Sequence, residues 1–109
     1  MSADPVVSRN VAEDRFEIAV DGHSAGRLLY IDRGGQRILH HTEIDSAYGG
    51  RGLAGTLVAS AVDESRRDGW RIVPVCEYVQ RWLGKHREFE DTIDPVTTDA
   101  IQAAEGAQG

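Results

Sequence analysis

The chain carries a single cysteine, Cys76. One cysteine closes no internal disulfide, so a small disulfide-framed scaffold is excluded. The four histidines are scattered and show no zinc-ligand spacing, so no metal is expected. Long apolar runs are absent as well. None approaches the ~18–20 residues of a membrane span, and no membrane partner is expected. The opening residues MSADPVVSRN lack the basic and apolar segments of a secretory signal, so a reducing, cytoplasmic location is the expectation. Positive charge is in deficit: 12 Lys and Arg against 18 Asp and Glu give −6. That argues against duplex nucleic acid as a partner and fits a cationic one, such as an amine. With 3 prolines and 12 glycines, the composition is too ordinary for a collagen-like or disordered chain.

What is present suits one domain. The 109 residues are 40% hydrophobic, enough for a modest core. From Arg15, Phe16, Ile18 and Val20 alternate with Glu17 and Ala19, the period of a strand. Asp21-Gly22 is a hairpin signal. Residues 25–31 read as a second strand, Arg33-Gly34-Gly35 as a turn, and 36–44 as a third strand. Strict alternation puts Ile38, His40, Thr42 and Ile44 on one face of that strand and Leu39, His41 and Glu43 on the other. A polar, glycine-rich loop follows. Residues 52–68 then read as a helix, with Leu53, Leu57, Val58, Ala61 and Val62 as its apolar stripe and Gly69 as its stop. The run Arg71-Ile72-Val73-Pro74-Val75 reads as a buried strand, parallel to the third because a helix joins them. A second helix starts near Tyr78 and runs to Lys85, and Thr92-Ile93 adds a strand residue or two. The domain is expected over 7–94, with 1–6 and 95–109 as flexible termini. The fold class is α+β: an antiparallel meander followed by a β-α-β-α unit.

The stretch from Tyr48 to Leu57 is the most informative. Its glycines let main-chain N–H groups approach a ligand, and a helix start adds unpaired donors. Together these suit a phosphate or diphosphate. Gly50-x-Gly52-x-x-Gly55 also spells a dinucleotide fingerprint, but it follows a meander and too little chain remains for a doubly wound fold. Gly50-x-x-x-x-Gly55-Thr56 matches a phosphate loop without its lysine. Glycines serving only a tight turn are the plainest alternative.

The same stretch resembles the acyl-CoA loop of the GNAT acetyltransferases, Arg/Gln-x-x-Gly-x-Gly/Ala. Gly52 and Ala54 fill its last two marked positions, Gly49 stands where Arg or Gln is usual, and Arg51 is basic two positions later. His41-Thr42-Glu43-Ile44, the glycine loop, Pro74-Val75-Cys76-Glu77-Tyr78-Val79 and His86 together look like the compact GNAT-like proteins of roughly 100 residues. The resemblance covers about residues 7 to 93. It implies a minimal GNAT fold with two splayed parallel strands, acetyl-CoA as cofactor, and transfer of an acyl group to an amine acceptor of unknown kind. Larger members carry helices between their first two strands; here Asp21-Gly22 is a bare hairpin.

Under that resemblance, main-chain groups at Ile44 hold the pantetheine arm. The amides of Gly50, Arg51, Gly52, Leu53, Ala54, Gly55 and Thr56 cradle the diphosphate. Pro74, which has no N–H, breaks the ladder and opens the slot. Arg81 and Lys85 face the nucleotide phosphates or form a solvated face. Glu43 or His41 draws the proton from the ammonium. Cys76, at a helix start that stabilises a thiolate, accepts the acyl group or protonates the leaving thiol. The tyrosine that many family members use as acid is absent, with Leu83 at its place. Each has a plainer reading: His41 on an exposed strand, Glu43 paired with an arginine, Cys76 as a small buried residue. A non-catalytic CoA-binding or protein-interaction module on the same fold is the alternative function.

Overall fold

A computed structural model describes residues 4–108. Five strands form one sheet in the order β1 (Val6–Asn10), β2 (Arg15–Val20), β3 (His23–Arg33), β4 (Gln36–Ile44) and β5 (Arg71–Pro74). The first four are antiparallel neighbours. β5 is parallel to β4, because helix α1 (Leu53–Arg67) crosses between them. Asp21 and Gly22, both at positive φ, make the β2–β3 hairpin.

β1 has no counterpart in the sequence reading. Val6 is 64% exposed, and the strand's burial alternates between exposed and half-buried, so no apolar period marks it. Its presence moves an expectation. The connection between the first two strands is the turn at residues 11–14, not the Asp21-Gly22 hairpin. It carries no helix.

α1 packs on one sheet face. Leu57, Val58, Ala61 and Val62 meet Phe16, Ile18, Leu28, Tyr30, Leu39 and Ile72, all of them buried. Gly69, at φ 85°, ends the helix, and the Trp70 N–H reaches back to the Ser65 carbonyl at 2.9 Å. α2 (Glu77–Lys85) adds Val79 and Leu83 to the same core. The Ile72–Ile93 bridge and the Asp94 N–H to Ile72 carbonyl bond cover the outer edge of β5, as the Thr92-Ile93 reading anticipated.

The opposite face carries a second difference. Residues 98–108, expected as tail, form helix α3 (Thr98–Gln108), whose Ala100 packs on Ile38 and Val73. Large side chains are not needed here, because alanine lets the helix lie close to the sheet. Of the termini expected to be flexible, 1–3 and 109 lie outside the described residues.

One buried charge locks α1 to the sheet. The Arg37 guanidinium, 1% exposed, forks onto both Asp32 carboxylate oxygens at 2.7 Å and donates to Ser65 Oγ at 3.2 Å. The rings of Tyr30 and Trp70 lie 4.5 and 4.7 Å away.

Candidate functional site

β4 and β5 pair from Gln36↔Arg71 to Leu39↔Pro74 and no further. β4 then runs on, so residues 41–44 pair with β3 alone. The proline's part differs from the expectation. The Arg71 N–H bonds the Gly35 carbonyl on the β4 side. By alternation, the Pro74 nitrogen therefore faces the outer edge and withholds nothing from β4. Three other bonds end the ladder. The Val75 N–H turns back to the Val73 carbonyl at 3.1 Å, and the Cys76 N–H takes the Leu39 carbonyl at 3.0 Å. Gln80 Nε2 holds the Pro74 carbonyl at 2.9 Å. The chain leaves the sheet and enters α2 with Cys76 as its N-cap residue.

Beside this opening lies the start of α1. Gly50 and Gly52 adopt φ 77° and 72°, with nothing within 4 Å of where a Cβ would stand. The left-handed backbone explains why glycine is needed there. Gly52 is the N-cap and has no side chain to cap the helix. The first helical bond runs from the Thr56 N–H to the Gly52 carbonyl at 3.3 Å. Thr56 is thereby removed from the expected set of binding amides. Among the described residues, no hydrogen bond takes up the N–H groups of Gly50, Arg51, Gly52, Leu53, Ala54 or Gly55. These donors and the partial positive charge of the helix start fit a diphosphate. The Arg51 guanidinium lies 5.3 Å over the Tyr48 ring in the same loop.

Gly55 differs: a Cβ there would make ordinary contacts, 3.6 Å from Tyr78 Oη and 4.0 Å from Trp82 Nε1, so neither space nor backbone requires glycine, and the position marks where α2 meets the first turn of α1. Arg81 and Lys85 share the Tyr78–Trp82 stripe of α2 and line a small cavity with those rings.

The three candidate groups for proton and acyl chemistry, Cys76, Glu43 and His41, fall into two sets. Cys76 Sγ lies 3.5 Å from Thr42 Oγ1. Glu43 accepts from Arg27 Nη1 at 2.7 Å and lies 3.8 Å from His41 Nε2. Thr42 and Ile44 face the helices, whereas His41 and Glu43 are exposed on the other side of the strand. The split of Thr42 and Ile44 from His41 and Glu43 holds, but strict alternation does not carry across the whole strand, because β4 is bulged. Leu29 pairs with His41 and Tyr30 with Leu39, which leaves His40 as the extra residue. Leu39 thus joins Thr42 on the helix side, and Ile38 packs against α3. Burial, with His41 nearby, holds His40 below the ordinary imidazole range.

Sequence reasoning missed Gln80, Thr42 and Arg27. Their roles depend on long-range partners, and no local pattern marks them. Gly26 is the exception in kind: a Cβ there would stand 2.5 Å from the Glu43 carbonyl, so a glycine inside a strand pattern signalled close backbone approach.

Comparison with known proteins agrees with this architecture. The sequence profile described as GCN5-related N-acetyl-transferase matches residues 15–92. Protein NATD1 of Xenopus tropicalis is 33% identical over 88 residues, which span 75% of this chain and 81% of that protein. Protein NATD1 of Bos taurus is 36% identical over 72 residues, 63% of each. Among solved structures, a GCN5-like protein from Staphylococcus aureus superposes with a TM-score of 0.63 at 18% identity, covering 85% of this chain and 91% of that one. Ribosomal-protein-alanine N-acetyltransferase from Brucella melitensis gives 0.55 at 14% identity, covering 89% and 94%. These two likenesses speak for the fold alone. The chain belongs to the GCN5-related N-acetyltransferase family.

Proposed function

We propose that this family member is an acetyl-CoA-dependent N-acyltransferase that acylates an amine, on a small molecule or a protein. One observation carries the reading: pairing between the parallel strands stops at Leu39↔Pro74, beside an uncapped helix start with six unused amides. When bound, acetyl-CoA supplies an activated thioester carbonyl. Residues 41–44, Ile44 among them, offer main-chain groups to its pantetheine arm. The amides of Gly50, Arg51, Gly52, Leu53, Ala54 and Gly55 bind the diphosphate, and the charges of Arg51, Arg81 and Lys85 neutralise it and the nucleotide phosphate.

Cys76, with its thiol against the Thr42 hydroxyl, is the candidate to protonate the leaving thiolate or to take the acyl group itself. His41 is the better candidate to draw the proton from the acceptor ammonium, because Glu43 is already neutralised by Arg27. That same ion pair favours a second reading: a module that binds CoA or a protein partner and does not catalyse.

Calorimetry with acetyl-CoA, then acyl transfer to a panel of amines and peptides, separates the readings. We expect binding, turnover, and at least tenfold slower transfer in Cys76→Ala. Binding without turnover on any acceptor selects the module. No binding at millimolar acetyl-CoA ends the transferase reading and the CoA-binding form of the module.

A further inference from the structure

The sheet face turned away from α1 and α2 carries a row of charges, and one arginine stands at its centre. Arg27 on β3 is in register with Glu17 on β2 and with Glu43 on β4. Its Nη1 donates to Glu43 Oε2 at 2.7 Å, and its Nη2 to Asp45 Oδ1 at 3.4 Å. Gly26 makes the register possible, because a Cβ there would stand 2.5 Å from the Glu43 carbonyl oxygen. Asp45 is itself fixed by its N–H, which bonds the Ala25 carbonyl at 2.8 Å. Glu17 is engaged from its other side, by Arg15 Nε at 2.6 Å and Asn10 Nδ2 at 3.1 Å. The Arg27 guanidinium therefore serves Glu43 and Asp45.

From this bridge we infer that Arg27 is a positioning residue for the step in which the acceptor ammonium loses its proton. It ties up the Glu43 carboxylate, which lies 3.8 Å from His41 Nε2, and so keeps the His41 ring available as a neutral base. The inference rests on the base role proposed for His41 and adds the residue that sets it. A carboxylate anion beside an imidazole favours the imidazolium, which cannot take a proton. A guanidinium bonded to that carboxylate cancels much of this pull. The other charges near His41 are engaged elsewhere. Arg15 shares its row across Leu29 but bonds Glu17. Glu13 and Asp14 line the cavity beside the preceding residue, His40, and α3 contributes the uncharged Ala107 to it.

The test follows the His41 ring by NMR through a pH titration of the full chain, at low ionic strength where such pairs are least screened. Arg27→Gln is expected to move the midpoint upward by about half a pH unit, with His86, on the helix side of the sheet, unmoved. Arg27→Lys keeps a positive charge opposite Glu43 and is expected to hold the midpoint near that of the native chain. In a Glu43→Gln background, Arg27→Gln is expected to lose most of its effect. An unmoved His41 in Arg27→Gln, or an equal shift with Glu43 already neutral, overturns the proposal. With a working acceptor, the acid limb of kcat/KM against pH should rise with the His41 midpoint, and a limb that stays in place also overturns it. An active enzyme with an unmoved His41 thus removes the role of Arg27 alone. The His41 shift without turnover on any acceptor overturns the base role and the transferase reading together.

Discussion

The two halves of β4 are made differently. From Gln36 to Leu39 the strand pairs on both sides, and its buried Arg37 is held by Asp32, Ser65 and two aromatic rings. From His41 to Ile44 it pairs with β3 alone, next to the uncapped start of α1. The first half satisfies its polar groups within the fold. The second leaves main-chain groups available to a ligand. The bulge at His40 marks the junction. One strand thus carries both the buried anchor and a stretch left unpaired on its β5 side.

The largest effect is expected from Arg37→Met. It leaves the Asp32 carboxylate, a quarter exposed, without its partner, and losing hydrogen bonds to a charged group costs about 1.5–3 kcal/mol. Urea unfolding should show a much lower midpoint. A loss under about 1 kcal/mol would mean that the anchor is not where the first half draws its stability. Next comes Gly52→Ala, which forces a side chain into left-handed backbone at about 1–2 kcal/mol. Acetyl-CoA affinity should fall with it, because the amide loop must shift. Unchanged affinity would argue that Gly52 lies outside the binding surface.

A smaller effect depends on pH. Burial lowers the His40 pKa below its ordinary 6.5 in the folded protein. The unfolded chain therefore takes up the proton first as pH falls. Stability should decline below pH 6.5 and level off once the folded-state pKa is passed. His40→Gln should flatten that part of the profile, measured by unfolding between pH 7.5 and 5. An identical slope in the variant would assign the decline to another group. The smallest effect is expected at Pro74→Ala. The new N–H faces the outer edge, so the ladder should still end where it does, with a stability change under about 1 kcal/mol. Tight loss of acetyl-CoA binding in this variant would restore the proline as the cause of the slot.

Legibility followed the range of the interactions. Asp21-Gly22, the α1 stripe and the Gly69 stop were readable because turn and helix chemistry are local. β1 and α3 were not: Val6 is exposed, Ala100 is small, and both segments owe their structure to a sheet formed elsewhere in the chain. In the candidate site, the glycines at 50 and 52 were visible because positive φ demands them. The pairing of Cys76 with Thr42, and of Glu43 with Arg27, was not. Those contacts join residues 34 and 16 positions apart.

The sequence by itself determined the order of strands β2 to β5, the parallel crossover and the glycine-rich start of α1, since hydrophobic period and backbone permissiveness are properties of neighbouring residues. Only the tertiary structure decided which face His41, Thr42 and Glu43 occupy. A single extra residue in β4, fixed by its register against β3, reverses the side on which every later side chain of the strand emerges.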